Sequence, residues 1–173
     1  MQRISQRNII EKLYKNIPII LLFVSILNEI DLNNLGLQYF SFNFSYILIF
    51  YYSLKKKESL GYVYIFIAGL FNDVIVGTPM GLSSLIYLLL YGAAAYLRNI
   101  TLRPSLMKDW LFFLITLLIL NSFSFLILTF IFNFEINYLD QIINITFTFL
   151  LYLVFYFIFG FLENVLLGRY NVN

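Results

Sequence analysis

One acidic side chain stands inside an apolar run of this sequence: Asp73, in the stretch Leu60 to Val76. A carboxylate placed there can do one of three things. It can accept hydrogen bonds that join two helices, meet a partner, or hold a proton or a substrate group. The run ends at Val76, three residues later, so the carboxylate lies roughly 5 Å from the helix end at about 1.5 Å per residue. An ionisable group at that depth in a membrane helix points into the bundle or toward a polar cavity. Gly69, Asp73 and Gly77 are spaced by four and share one side of the helix, a face suited to close helix packing. The next residues, Gly77-Thr78-Pro79-Met80-Gly81, fit only a tight hairpin. Pro79 suits the start of the following helix, whose first amides lack intrahelical partners. The hairpin brings Asp73 toward those amides, where the helix dipole and direct hydrogen bonds favour an anion. Stapling of the two helices is the plainer reading; the partner and proton-site readings stand beside it.

Other chemistry is narrowly bounded. The chain has no cysteine and no histidine, which removes disulfides, thiolate nucleophiles, imidazole bases and the zinc sites built from them. An aspartic hydrolase needs two carboxylates sharing a proton. Eight of the nine acidic residues lie in or beside connections or helix ends, and only Asp73 is expected to be buried. Glu29, Asp31, Glu135 and Asp140 are expected on its side of the membrane, so a dyad with one of them is the remaining enzymatic route. The chain reads as a non-enzyme with no metal or cofactor. After the hairpin, Gly81, Ser84, Gly92 and Ala95 fall on or near one face with Leu88 between them, a helix-packing pattern. Asn121, with Ser122 and Ser124 nearby, lies mid-run and needs a cross-helix partner. Asn144, Thr146 and Thr148 are the candidates.

The elements that position these residues follow from composition. Of 173 residues, 61% are hydrophobic and 12% charged, against roughly 45–50% and about 25% in soluble domains. The apolar runs are too long for the alternating strands of an outer-membrane barrel, and the bilayer core admits only helices or closed barrels. The predicted fold class is therefore all-α, a polytopic membrane bundle of six transmembrane helices. They are placed at about residues 14–36, 40–54, 60–76, 82–97, 110–132 and 142–162. Six crossings of about 20 residues each leave no room for a sizeable extramembrane domain, so residues 1–173 are expected to form a single integral membrane domain. The first two runs are short. Ile17 to Leu27 must borrow neighbouring residues, and a bent or interfacial piece around Asn28 to Gln38 is an open alternative. No small-residue cleavage site follows the first run, which reads as a retained signal anchor.

Orientation comes from lysine and arginine. All eleven fall in alternate connections: Arg3, Arg7, Lys12 and Lys15; Lys55, Lys56 and Lys57; Arg98, Arg103 and Lys108; and Arg169. The intervening connections carry Glu29 and Asp31, the nearly uncharged turn, and Glu135 and Asp140. Both termini are thus expected in the cytoplasm. Because the basic residues cluster between apolar runs, nucleic-acid binding is not expected.

Phe66, Gly69, Leu70, Asp73, Gly77, Pro79, Gly81 and Leu85 form the pattern F-x-x-G-L-x-x-D-x-x-x-G-x-P-x-G-x-x-x-L. This resembles the MreD rod shape-determining proteins of bacteria. Length, six crossings, cytoplasmic termini and the place of the motif agree as well; outside about 20 residues the likeness is one of layout. The resemblance implies an inner-membrane subunit of the cell-elongation machinery. Its partners would be MreC, MreB and the peptidoglycan polymerase and transpeptidase of the rod complex. It also implies a fold similar to the substrate-binding subunits of energy-coupling-factor transporters, and no enzymatic activity. The competing function is a small-solute uptake subunit of such a transporter. Against it, the small-residue alanine pattern common on the first helix of those subunits is missing: the four alanines are Ala68, Ala93, Ala94 and Ala95.

Overall fold

The computed structural model describes residues 16–26, 42–55, 60–101, 103, 105–135 and 137–168. The expectations for Asn28 to Gln38, for Lys56 and Lys57 and for the two chain ends lie outside the described residues. Among the described residues every regular element is a helix. They are α1 (Asn16–Ile26), α2 (Phe44–Lys55), α3 (Tyr62–Val76), α4 (Leu82–Ile100), α5 (Leu106–Leu126) and α6 (Tyr138–Gly168). A π-helical turn, Ile127–Ile131, extends α5.

The centre of the bundle is α2. Its sequence, FSYILIFYYSLK, is apolar or aromatic on every face until Lys55, and all residues from Ser45 to Leu54 are buried. A helix that is hydrophobic all round needs a protein core or a lipid bilayer around it, and α2 has the former. Here α1 reaches it through the Ser25–Ser45 hydroxyl pair (2.7 Å), and α4 through the edge-on Tyr46 and Tyr87 rings (5.8 Å). From α5 and α6, Phe113 and Tyr152 close a ring triangle with Phe50 at 4.8, 5.8 and 4.6 Å. The α2 start is fixed by Asn43, whose side-chain oxygen accepts from the Tyr46 amide (3.2 Å) as an N-cap should. The Asn43 amide in turn donates to Thr148 Oγ1 on α6 (2.8 Å).

The helix lengths depart from the expected bounds. Among the described residues, two helices are long and apolar enough to cross a membrane: α5 with its π turn, Leu106–Ile131 (26 residues), and Tyr138–Leu162 of α6 (25 residues). Both begin four residues before the runs expected at 110 and 142, because Leu106, Met107, Tyr138 and Leu139 continue the helix through polar neighbours. α1 and α3 are shorter apolar helices. The 12 residues of α2 span only about 18 Å at 1.5 Å per residue. The outward faces are themselves apolar: Phe66, Phe71 and Val74 on α3, Leu111, Ile115 and Ile119 on α5, and Val154, Phe157 and Phe161 on α6 are all exposed.

Candidate functional site

The α3–α4 hairpin gathers most of the residues singled out in the sequence. At Gly69 the two helices touch backbone to backbone. A Cβ added there would stand 2.4 Å from Ser84 Cα and 2.5 Å from Ser84 N, closer than any real side chain sits. Ser84, fully buried, donates its hydroxyl to the Phe66 carbonyl (2.9 Å), and Asn72 Nδ2 donates to Ser83 Oγ (3.1 Å). One turn nearer the hairpin lies Asp73, only 1% exposed. Its Oδ1 accepts from Thr78 Oγ1 (2.9 Å) and the Ser83 amide (2.8 Å), and its Oδ2 from the Gly81 amide (2.7 Å).

The carboxylate therefore takes up amides at the start of α4 that no intrahelical carbonyl can reach. The Asp73 backbone carbonyl serves the other half of the turn, accepting from the Gly77 and Thr78 amides at 2.9 and 3.1 Å. Gly77 and Gly81 both adopt left-handed backbone, φ 76° and 97°, where a side chain is strained. Pro79 does not open α4, as its sequence position suggested. It lies inside the turn, its carbonyl accepting from the Leu82 amide (3.1 Å), because left-handed Gly81 breaks the helical path between Pro79 and Leu82.

The small-residue face of α4 is only partly as expected. Ser84 packs, but Gly92 is exposed with nothing within 4 Å of a Cβ placed on it. Ala95 is half-buried, and its neighbour Ala94 is the fully buried one. Beyond Ser84 the buried face of α4 runs through Tyr87, Leu90, Ala94 and Leu97, turned toward α2 and away from the Gly92 side. Asn121 is half-buried, and its amide donates to Leu117 of its own helix (2.9 Å). The cross-helix bond here runs from Gln141 Nε2 to the Asn121 backbone carbonyl (3.3 Å). Of the expected partners, Thr146 bonds its own helix at Ile142 and Thr148 binds Asn43.

A second buried carboxylate corrects the expectation that Asp73 stands alone. Asp109, in the first turn of α5, is 2% exposed and accepts from Lys55 Nζ at the end of α2 (3.2 Å). Lys55 also lies over the Tyr156 ring, 5.0 Å from its centre. Beside it Arg98 Nη1 donates to the Ser53 carbonyl, a cation on the negative end of the α2 dipole. No local sequence signal marks this pair, because Lys55 and Asp109 are 54 residues apart and meet only where α2 and α5 do. A helix start at Leu106, not Trp110, puts Asp109 inside the first turn. Asp73 and Asp109 do not form a dyad. They lie at opposite ends of α4, whose 19 residues extend about 28 Å. Glu135 and Asp140 are exposed. No group of three or more metal-ligating side chains occurs among the described residues.

No protein-family model, curated protein or solved structure matches the chain.

Proposed function

We propose that the chain is a non-catalytic, multi-pass subunit of the bacterial cytoplasmic membrane that works as MreD proteins do. It would bind MreC and help organise lateral peptidoglycan synthesis by the rod complex, with both termini in the cytoplasm. The observation that carries this reading is the hairpin. The motif positions shared with the MreD pattern are the positions the turn needs: Gly69 for backbone contact, Asp73 for the staple, Gly77 and Gly81 for left-handed backbone. A carboxylate whose oxygens are taken by two amides and a hydroxyl is an acceptor held in place, which suits a rigid scaffold better than a proton carrier.

Six crossings are part of the proposal. Supporting them are the two long apolar helices, the exposed apolar faces of α3, α5 and α6, and the placement of every lysine and arginine in alternate connections. The short α2, buried from Ser45 to Leu54, is read as an inner helix of that bundle. Affinity capture of the tagged protein from a rod-shaped bacterium in mild detergent, followed by mass spectrometry of proteins and small molecules, tests the proposal. Recovery of MreC with wall-synthesis enzymes is the expected result. Recovery of an ATPase module with a stoichiometric vitamin would replace it with the solute-uptake reading.

A further inference from the structure

We propose that the end of the bundle where α2 and α4 finish and α5 begins is a binding surface for the phosphorylated headgroups of anionic membrane lipids. For the placement of the connections this rests on the six-crossing reading above. Two contacts draw the two basic connections, α2–α3 and α4–α5, together. Lys55 at the end of α2 bonds Asp109 in the first turn of α5 (3.2 Å), and Arg98 in the last turn of α4 holds the Ser53 carbonyl of α2. Arg103, on the link between α4 and α5, and Lys108, in the first turn of α5, are exposed at the same end. Asp109, the acidic residue described there, is buried and engaged with Lys55, so among the described residues it does not neutralise Arg103 or Lys108.

The charge asymmetry is large. By sequence, this end takes all eleven basic residues and four acidic ones (Glu11, Glu58, Asp109, Glu163), an excess of seven positive charges. The opposite end takes five acidic residues and no basic one, and the two together give the net charge of +2. What selects a lipid over a nucleic acid or an acidic protein is the collar of apolar surface directly beside the cations. Tyr96, Ile100, Met107 and Leu111 are all exposed, within about a turn of Arg98, Arg103 or Lys108. A molecule carrying a phosphate on an acyl body matches both features at once.

The chain's single tryptophan, Trp110, supplies the readout. It is half-buried at this end, stacked on Phe149 at 4.4 Å with its Nε1 donating to the Phe149 carbonyl (3.0 Å). The full chain is reconstituted into phosphatidylcholine vesicles containing a graded fraction of either brominated phosphatidylglycerol or brominated phosphatidylcholine, and Trp110 quenching gives the relative lipid affinity. The expected result is a preference for phosphatidylglycerol of about five-fold, the contribution of one basic side chain near an anionic surface. The preference should shrink with salt and fall toward one in Arg103→Gln/Lys108→Gln, whose side chains lie outside the core. Equal quenching by both lipids in protein that resists alkaline extraction overturns the lipid surface and leaves the membrane reading intact. Protein extracted from every vesicle type overturns both. An unchanged preference in the double variant also overturns the assignment, as does its abolition by millimolar inorganic phosphate at constant ionic strength.

Discussion

Replacing Asp73 separates its role as hydrogen-bond acceptor from its charge and size. Three donors converge on the carboxylate, at 2.9, 2.7 and 2.8 Å, and a hydrogen bond to a charged group is worth about 1.5–3 kcal/mol. Asp73→Leu leaves the Gly81 and Ser83 amides and the Thr78 hydroxyl without the acceptor. Partial rescue by water at the turn brings the expected loss to about 3–5 kcal/mol. Asp73→Asn keeps one oxygen in the Oδ1 position, where Thr78 and Ser83 already meet. Its amide nitrogen then faces the Gly81 amide donor to donor, so one bond is lost and the two that remain become neutral, roughly 1.5–3 kcal/mol in all after the same rescue by water. Equilibrium unfolding in mixed micelles, followed by Trp110 fluorescence, should rank the proteins wild type, Asn, Leu, with Asn and Leu about 2 kcal/mol apart. Equal losses, or a Leu variant milder than Asn, would refute the staple.

The helix contact gives a paired test. Gly69→Ala forces a Cβ onto the Ser84 backbone and should cost about 1–3 kcal/mol or more, whereas Gly92→Ala enters open space and should be neutral or stabilising by up to about 1 kcal/mol; the same unfolding assay reads both. Lys55→Met leaves Asp109 buried without its cation. That should cost about 3 kcal/mol, the low end for a broken buried pair because Lys55 is 24% exposed, and Lys55→Met/Asp109→Leu should recover part of the loss. Two residues inserted between Gly77 and Gly81 should detach Gly81 and Ser83 from Asp73 and, if the proposed partner MreC is captured, weaken that capture; undiminished capture would show that the rigid turn is dispensable for partner binding.

The hairpin was legible in the sequence because its determinants are local. Spacing by four fixes the face shared by Gly69 and Asp73, and five residues between apolar runs leave one way to turn. Pro79 was misplaced because a proline preference for first turns does not register that Gly81 would go left-handed. The α4 face was misassigned beyond Ser84 for a non-local reason. Gly92 and Ala95 are small, but which side of α4 is buried depends on where α2 lies, and α2 is apolar on all sides and so carries no directional signal. Asp109 was missed because it borders its apolar run, where a carboxylate reads as solvated; only the meeting of α2 and α5 places Lys55 against it. Asn121 looked like a cross-helix donor, but its amide found the carbonyl one turn back in its own helix, a competing bond that spacing alone does not weigh.

That the chain crosses the membrane six times, with its basic connections on one face and the Asp73 hairpin on the other, is tested most directly by single-cysteine labelling. The native chain has no cysteine, so each introduced thiol is the only target of an impermeant maleimide. In intact spheroplasts Met80→Cys and Glu135→Cys, both at exposed positions, should label, while Lys57→Cys and Arg103→Cys should label only after the membrane is opened. Labelling of Lys57→Cys and Arg103→Cys from opposite faces, or of Met80→Cys and Arg103→Cys from the same face, would contradict the six-crossing bundle.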